Sequence, residues 1–212
     1  MKEFADFLQA YPTKKYLAGE IILHQNDVVK SAYIIRSGLV KTYDINKDGE
    51  TKPLSYDGKY EAFPLVCVFS RSEYSLYYFE AFLDTTVSVV PKEDYIHFLQ
   101  TNPTALFAIH SLLVERYLDF LRRINSLSQI KAEEKILYGL DFLCRRFGKR
   151  TQPSKVKFVI PISQQELANF LGLTRETVST NMNKIRKRGI VKYRGMYGIE
   201  VDIKKIDAAL GI

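Results

Sequence analysis

Arg175 and Glu176 stand side by side in the run Ile160-Pro-Ile-Ser-Gln-Gln-Glu-Leu-Ala-Asn-Phe-Leu-Gly-Leu-Thr-Arg-Glu-Thr-Val-Ser-Thr-Asn-Met-Asn-Lys-Ile-Arg-Lys-Arg-Gly189. The chemistry these two residue types suit is the reading of base pairs. A planar guanidinium can donate two hydrogen bonds to guanine O6 and N7, and a carboxylate can accept from cytosine N4. Ser179, Thr180 and Asn183 follow at spacings that keep them on the same outward side of a helix. Thr174, Thr177 and Gln165 suit phosphate contacts, and Ser163 and Gln164 join the DNA-contacting set. Lys184, Arg186, Lys187 and Arg188 add positive charge towards the helix's C-terminal end. A solvated basic end that favours the helix dipole is the plainer reading of that run.

The surrounding residues dictate how these side chains are held. Ser163 with Glu166 three residues later is a capping box, so a helix starts at Gln164. Leu167, Ala168 and Leu171 form its buried side, and Gly172 supplies the left-handed residue at the bend. Leu173 plugs the turn, Thr174 caps the next helix, and Val178, Met182 and Ile185 face inward. A small residue where two helices touch, a glycine at the bend and an apolar anchor beyond it make a helix-turn-helix. Two alternating runs around Arg194-Gly195 read as a β-hairpin, a wing whose Lys192 and Arg194 can touch phosphate.

The rest of the chain divides by pattern. From about residue 15 to 98, short strand-like runs (Glu20–Leu23, Ala32–Ile35, Leu39–Tyr43, Thr85–Val90) alternate with turn signals, as in a barrel or sandwich. From Pro103 the period becomes helical: Leu106, Ile109, Leu113, Tyr117, Phe120, Ile124 and Leu127 recur in steps of three and four, a dimerisation seam. Packing of that stripe on its own domain is the alternative, and both can hold. A further helix is expected over Ala132–Phe147, with Gly148 as its C-cap and a basic loop at Lys149–Lys155.

Charge points the same way. The chain carries a net +7, but residues 1–130 have 14 Lys and Arg against 16 Asp and Glu, whereas 131–212 have 17 against 8. A polyanion is the natural partner of the second part. The two cysteines, Cys67 and Cys144, cannot form a disulfide framework or a four-ligand metal site. No apolar run is long enough to span a bilayer and no secretory signal opens the chain, so a cytoplasmic, non-membrane protein is expected. No Ser-His-Asp or Cys-His grouping, phosphate-cradling glycine loop or metal-binding His pair argues for an enzyme, and no cofactor is expected.

Gln165-Glu166, Gly172 and Arg175-Glu176-Thr177-Val178, with looser matches at Gly19-Glu20-Ile21-Ile22, Ser37-Gly38 and Gln100-Thr101-Asn102-Pro103, resemble the CRP/FNR superfamily of bacterial regulators. The resemblance implies an α+β chain. Residues 1–102 would form a double-stranded β-helix (a cupin-like β-roll) that binds an effector, 103–130 a dimerisation helix, and 131–212 a winged helix-turn-helix. It implies a homodimer, a palindromic site in double-stranded DNA read by Arg175 and Glu176, RNA polymerase as a partner, and allosteric control by a small effector or permanent activity. Two departures stand out. A third base-reading Arg of the family falls at Thr180, so the preferred site is expected to differ. The stretch that holds a cyclic phosphate in nucleotide-binding relatives lacks its Arg, Arg71 being several residues early, and the purine-facing helix positions hold Phe120 and Leu121. Cyclic AMP is therefore not expected. An effector pocket lined by Phe63, Leu65, Cys67, Tyr77, Tyr78, Phe120 and Leu121 would suit an apolar or aromatic ligand; strand packing is the alternative for either tyrosine. A ligand-binding, redox or haem-sensing module of the same fold, without direct DNA readout, stands as a second reading. His24, Cys67 or His110 would be the haem ligand, His97 being the remaining histidine.

Overall fold

The computed structural model describes residues 2–70, 72–158, 162–194 and 198–211. Arg71, Ile160-Pro161 and the wing turn at Gly195 lie outside the described residues. The chain divides into two compact units, Met1–Val114 and Glu115–Ile212.

The first unit is a β-roll flanked by helices. Helix α1 (Lys2–Phe7) precedes β1 (Thr13–Tyr16), β2 (Ile21–Leu23), β3 (Ser31–Ser37), β4 (Val40–Ile45), β5 (Thr51–Asp57) and β6 (Ala62–Phe63). Then come a one-turn helix α2 (Leu65–Phe69), β7 (Tyr78–Ala81), β8 (Thr85–Pro91) and α3 (Lys92–Thr101). The strands make two antiparallel four-stranded sheets, ordered β1-β8-β3-β6 and β2-β7-β4-β5. β-branched and aromatic residues on one side of each strand fill the space between the sheets. Ile22, Leu23, Val29, Ile35, Val40, Phe63, Cys67, Phe79, Ala81 and Val87 form one buried cluster. A second cluster, with Phe4, Leu8, Ile34, Val90, Tyr95 and Leu99, seats α1 and α3 on the roll.

Helix α4 (Pro103–Ser128) is continuous from one unit into the other. Its apolar stripe divides. Ile109, expected in the dimer seam, is instead 7% exposed and belongs with Ala105 to the roll's second cluster. Leu106, Leu113, Tyr117, Phe120, Ile124 and Leu127 are all exposed, Tyr117 by 62% and Ile124 by 59%. Near its start the helix thus packs Ala105 and Ile109 on the roll, and it leaves the remaining stripe residues bare.

The second unit contains α5 (Ala132–Phe147), β9 (Gly148–Gln152), β10 (Lys155–Phe158), α6 (Gln164–Leu171), α7 (Arg175–Lys187), β11 (Val191–Arg194), β12 (Gly198–Asp202) and α8 (Ile203–Leu210). Its sheet is ordered β11-β12-β10-β9. One sequence expectation is corrected here. The basic stretch after α5 is a hairpin, not a loop: Lys155-Val156-Lys157-Phe158 alternates polar and apolar residues and buries Val156 and Phe158. Gly148 is the C-cap of α5 as expected, its N–H donating to the Cys144 carbonyl, with an extended rather than left-handed backbone (φ −80°, ψ 143°) that opens β9. The glycine is needed because a Cβ there would run into Val156 and the Cys144 carbonyl.

Candidate nucleic-acid interface

The helix-turn-helix is built from its caps inward. The Glu166 N–H donates to Ser163 Oγ at 3.0 Å and starts α6. Gly172 ends it in the left-handed conformation (φ 63°, ψ 38°). Thr174 then caps α7: the Thr177 N–H donates to Thr174 Oγ1 at 3.1 Å, and the two hydroxyls lie 2.9 Å apart. One hydroxyl donates to the other, so one O–H proton of the pair stays available to a phosphate oxygen. Leu167, Ala168 and Leu171 of α6 and Val178, Met182 and Ile185 of α7 are buried, as the spacing requires. Phe170, which that spacing left aside, is also buried and stacks on Phe142 of α5 at 5.5 Å.

With one face of α7 committed to the core, the opposite face is left to solvent. Arg175, Glu176, Thr180, Asn183 and Lys184 are exposed, and Ser179 is half-buried. Arg186 and Lys187 are exposed, while Arg188 pairs with Glu133 of α5. On α6, the Gln165 amide donates to Asn169 at 2.8 Å, and the Gln164 amide donates to the Tyr193 hydroxyl on β11 at 3.4 Å. Gln164 thus ties the reading unit to the wing. Lys192 is exposed, and the Arg194 guanidinium meets Glu200 at 3.2 Å. Tyr193 escaped sequence reasoning; its signal is the alternation of the wing strand.

The C-terminal half of α4 is fastened to this unit. Asp119 pairs with Arg146 of α5 at 3.3 Å and with Arg122 at 3.0 Å. Arg123 lies over the Phe170 ring, 4.3 Å from its centroid, and donates to the Phe170 carbonyl at 3.3 Å. Ser126, fully buried, donates to the Lys135 carbonyl at 2.8 Å. None of these long-range contacts has a local sequence signature.

Several of the expected effector-pocket residues of the roll are engaged in packing. Phe63 and Cys67 are each 1% exposed and help to fill the roll. Leu65 packs on the second cluster. Tyr78 stacks on Tyr43 at 5.2 Å, and Tyr77 is exposed. Phe120 and Leu121, in the other unit, are each 44% exposed. A cavity of about 340 Å³ lies among Val28, Val29, Lys30, Glu73, Lys92 and Glu93. Burial pushes the Cys67 thiol up, and its sulfur donates to the Tyr74 carbonyl at 3.3 Å. Burial raises the Cys144 thiol further. Both thiols are thereby kept from the reactive thiolate form. His24, His97 and His110 are exposed. Among the described residues, no group of three or more His, Cys, Asp or Glu could hold a metal ion.

Residues 13–102 match the cyclic nucleotide-binding domain family, and residues 140–208 match the Crp-like helix-turn-helix domain family. The chain belongs to the CRP/FNR family of transcription regulators. Its similarity to individual members runs nearly end to end. It is 27% identical to electron transport regulator A of Shewanella oneidensis over 193 residues, 91% of this chain and 76% of that protein. It is 26% identical to the cyclic AMP receptor protein of Thermus thermophilus over 186 residues, 87% of this chain and 82% of that protein. The fold matches that of a CooA variant from Carboxydothermus hydrogenoformans with a TM-score of 0.78 at 20% identity, covering 96% of this chain and 89% of that one. As a CRP/FNR regulator, the chain acts by binding DNA. No helix among the described residues is long and apolar enough to cross a membrane.

Proposed function

We propose that this CRP/FNR regulator works as a homodimer that reads a palindromic site through α7, with Arg175 and Glu176 on base edges and Ser179, Thr180 and Asn183 completing the reading face. The observation that carries the reading is the division of α7 itself. Val178, Met182 and Ile185 are anchored in the core, while Arg175, Glu176, Thr180 and Asn183 are free on a helix capped at its entry. Ser163, Gln165, Thr174, Thr177, Lys184, Lys192 and Arg194 are assigned to the phosphate backbone, with Gln164 orienting the wing. Dimerisation falls to the exposed stripe of α4 from Leu106 to Leu127, without Ile109. Residues 1–102 carry any effector, 103–130 join the copies and 131–212 bind DNA.

The effector, where one is used, is not a cyclic nucleotide. Glu61–Phe69 and Ser75–Phe79, the stretch corresponding to the phosphate cradle of nucleotide-binding relatives, contain no Arg or Lys, and an anionic phosphate buried without a cationic partner is costly. A small apolar or aromatic molecule suits this unit better, as does permanent activity. Enzymatic turnover forms no part of the reading. RNA polymerase as a partner follows from the family rather than from a residue described above. A regulator of this kind works in the cytoplasm, beside the DNA it reads.

The test is selection of binding sites from a random DNA pool by purified protein without added ligand. An enriched palindrome supports dimeric, effector-independent reading. Salt-sensitive binding without enrichment calls for an effector, sought among apolar and aromatic metabolites. A folded protein that binds no DNA at any salt overturns the residue assignments to α7. Footprinting of polymerase at the selected site, with and without the protein, tests the polymerase partnership.

A further inference from the structure

Val28-Val29-Lys30, the segment that leads into β3, runs between two others. On one side Val28 bridges antiparallel to Tyr74, and the Val29 N–H donates to the Glu73 carbonyl at 2.8 Å. On the other, Ser31 pairs with Pro91, and the Lys92 N–H donates to the Lys30 carbonyl at 3.3 Å. Lys30 and Lys92 therefore stand opposite each other, at the start of α3. Val29 belongs to the core cluster of the roll, whereas Val28 is 57% exposed and Tyr74 53%. The cavity of about 340 Å³ lies where the three segments meet.

Its lining holds two lysines, two glutamates and two valines. Among the described residues, no ion pair engages any of the four charged side chains. The backbone holds the two lysines opposite each other, and like charges so placed cost stability. A carboxylate between them would remove that cost, and an ammonium would do the same for Glu73 and Glu93. A purely anionic ligand meets the glutamates, and a purely cationic one meets the lysines. Charge complementarity thus selects a small molecule that carries both signs. Val28, with Tyr74 across from it, supplies bare apolar surface for the rest of that molecule. The volume is roughly that of eleven waters at ~30 Å³ each, which suits an amino acid.

We propose that this cavity binds a free α-amino acid with an apolar side chain, its carboxylate on Lys30 and Lys92 and its ammonium on Glu73 and Glu93. The site has a route to α4. Helix α3, which carries Lys92 and Glu93, is seated through Tyr95 and Leu99 in the cluster that also holds Ala105 and Ile109. The proposal gives a class to the effector assigned above to residues 1–102 and rests on that assignment for any regulatory role, whereas binding itself is tested without DNA.

Full-length protein is titrated calorimetrically with L-leucine and L-phenylalanine. It is also titrated with N-acetyl-L-phenylalanine and L-phenylalaninamide, each of which lacks one of the two charges. The expected dissociation constant is roughly 0.1–1 mM for the free amino acids. Both derivatives should bind about tenfold more weakly or worse, because each loses a charge-assisted contact. K30Q/K92Q and E73Q/E93Q should each weaken L-phenylalanine to a similar degree. Lys30, Glu73 and Glu93 are exposed and Lys92 is half-buried, so both variants should keep the wild-type thermal midpoint.

Derivatives that bind as tightly as the free amino acids overturn the proposal, and that comparison on wild type decides even if a variant fails to fold. Folded variants that bind L-phenylalanine as wild type does overturn it as well. So does the absence of binding by either amino acid, or a preference for succinate over both, which would assign the lysines to an anion. Amino-acid binding without DNA-site selection would remove the α7 assignments and leave this one standing.

Discussion

Arg175 is exposed at the first turn of α7, where a helix in the major groove meets base edges. Truncation to Ala should cost roughly 1–3 kcal/mol on the selected site and relax preference at one base position. Equal loss on random DNA, measured by competition, would assign Arg175 to the backbone instead. The caps work differently: Thr174→Ala should lower stability by about 1 kcal/mol, read from the thermal midpoint, with sequence preference unchanged. Tyr43 gives a pH signature in the roll. Burial, then the neighbouring Glu80 carboxylate, pushes its hydroxyl up to about 12. A folded value above the unfolded one means its contribution is complete below pH ~10 and lost as pH rises towards 12, on the order of 2 kcal/mol. Tyr43→Phe should flatten stability across that interval in denaturant titrations. At this scale the sequence is a good guide, because capping and base reading depend on residues three or four apart. Gln164 shows the limit. Its type suits a DNA contact, but its amide turns to Tyr193, 29 positions away.

Among the elements, helices were legible and their neighbours less so. The period of three and four marks α4, but period alone does not say which copy of the chain each apolar residue meets. Ile109 turns to the roll, whereas Tyr117, Phe120 and Ile124 remain bare. Replacing Leu113, Phe120 and Ile124 with charged residues should yield monomers; a variant still dimeric by sedimentation would put the seam elsewhere. The hairpin after α5 was masked by its basic composition, although Val156 and Phe158 alternate as a strand should. Gly139 records a close approach that no periodicity reveals: a Cβ there would lie 2.7 Å from Leu171 of α6. Gly139→Val should cost roughly 1–3 kcal/mol through overpacking and weaken DNA binding by displacing α6. A thermal midpoint at the wild-type value would refute that reading.

Across the whole molecule, the uneven charge predicts behaviour that no single contact does. With 17 Lys and Arg against 8 acidic residues after position 130, DNA affinity should fall linearly on a log–log plot against salt, by ~0.9 per phosphate neutralised. A flat plot would contradict phosphate engagement. The order of roll, long helix and winged reading unit was legible from composition and period, and the family resemblance rested on that order. The burial of Phe63 and Cys67 in the roll's core was not, because their types read the same in sequence at a core position or beside a ligand.

The attachment of α4 to the reading unit has a mechanical consequence. Asp119, Arg123 and Ser126 join three successive turns of the helix to α5 and α6 by an ion pair, a stacked guanidinium and a buried hydroxyl. A shaft keyed at three points along its length does not slip in its hub. A rotation of this half of the helix would pass into α5 and α6, and through their packing into α7, rather than being spent at the short connection Gln129–Lys131.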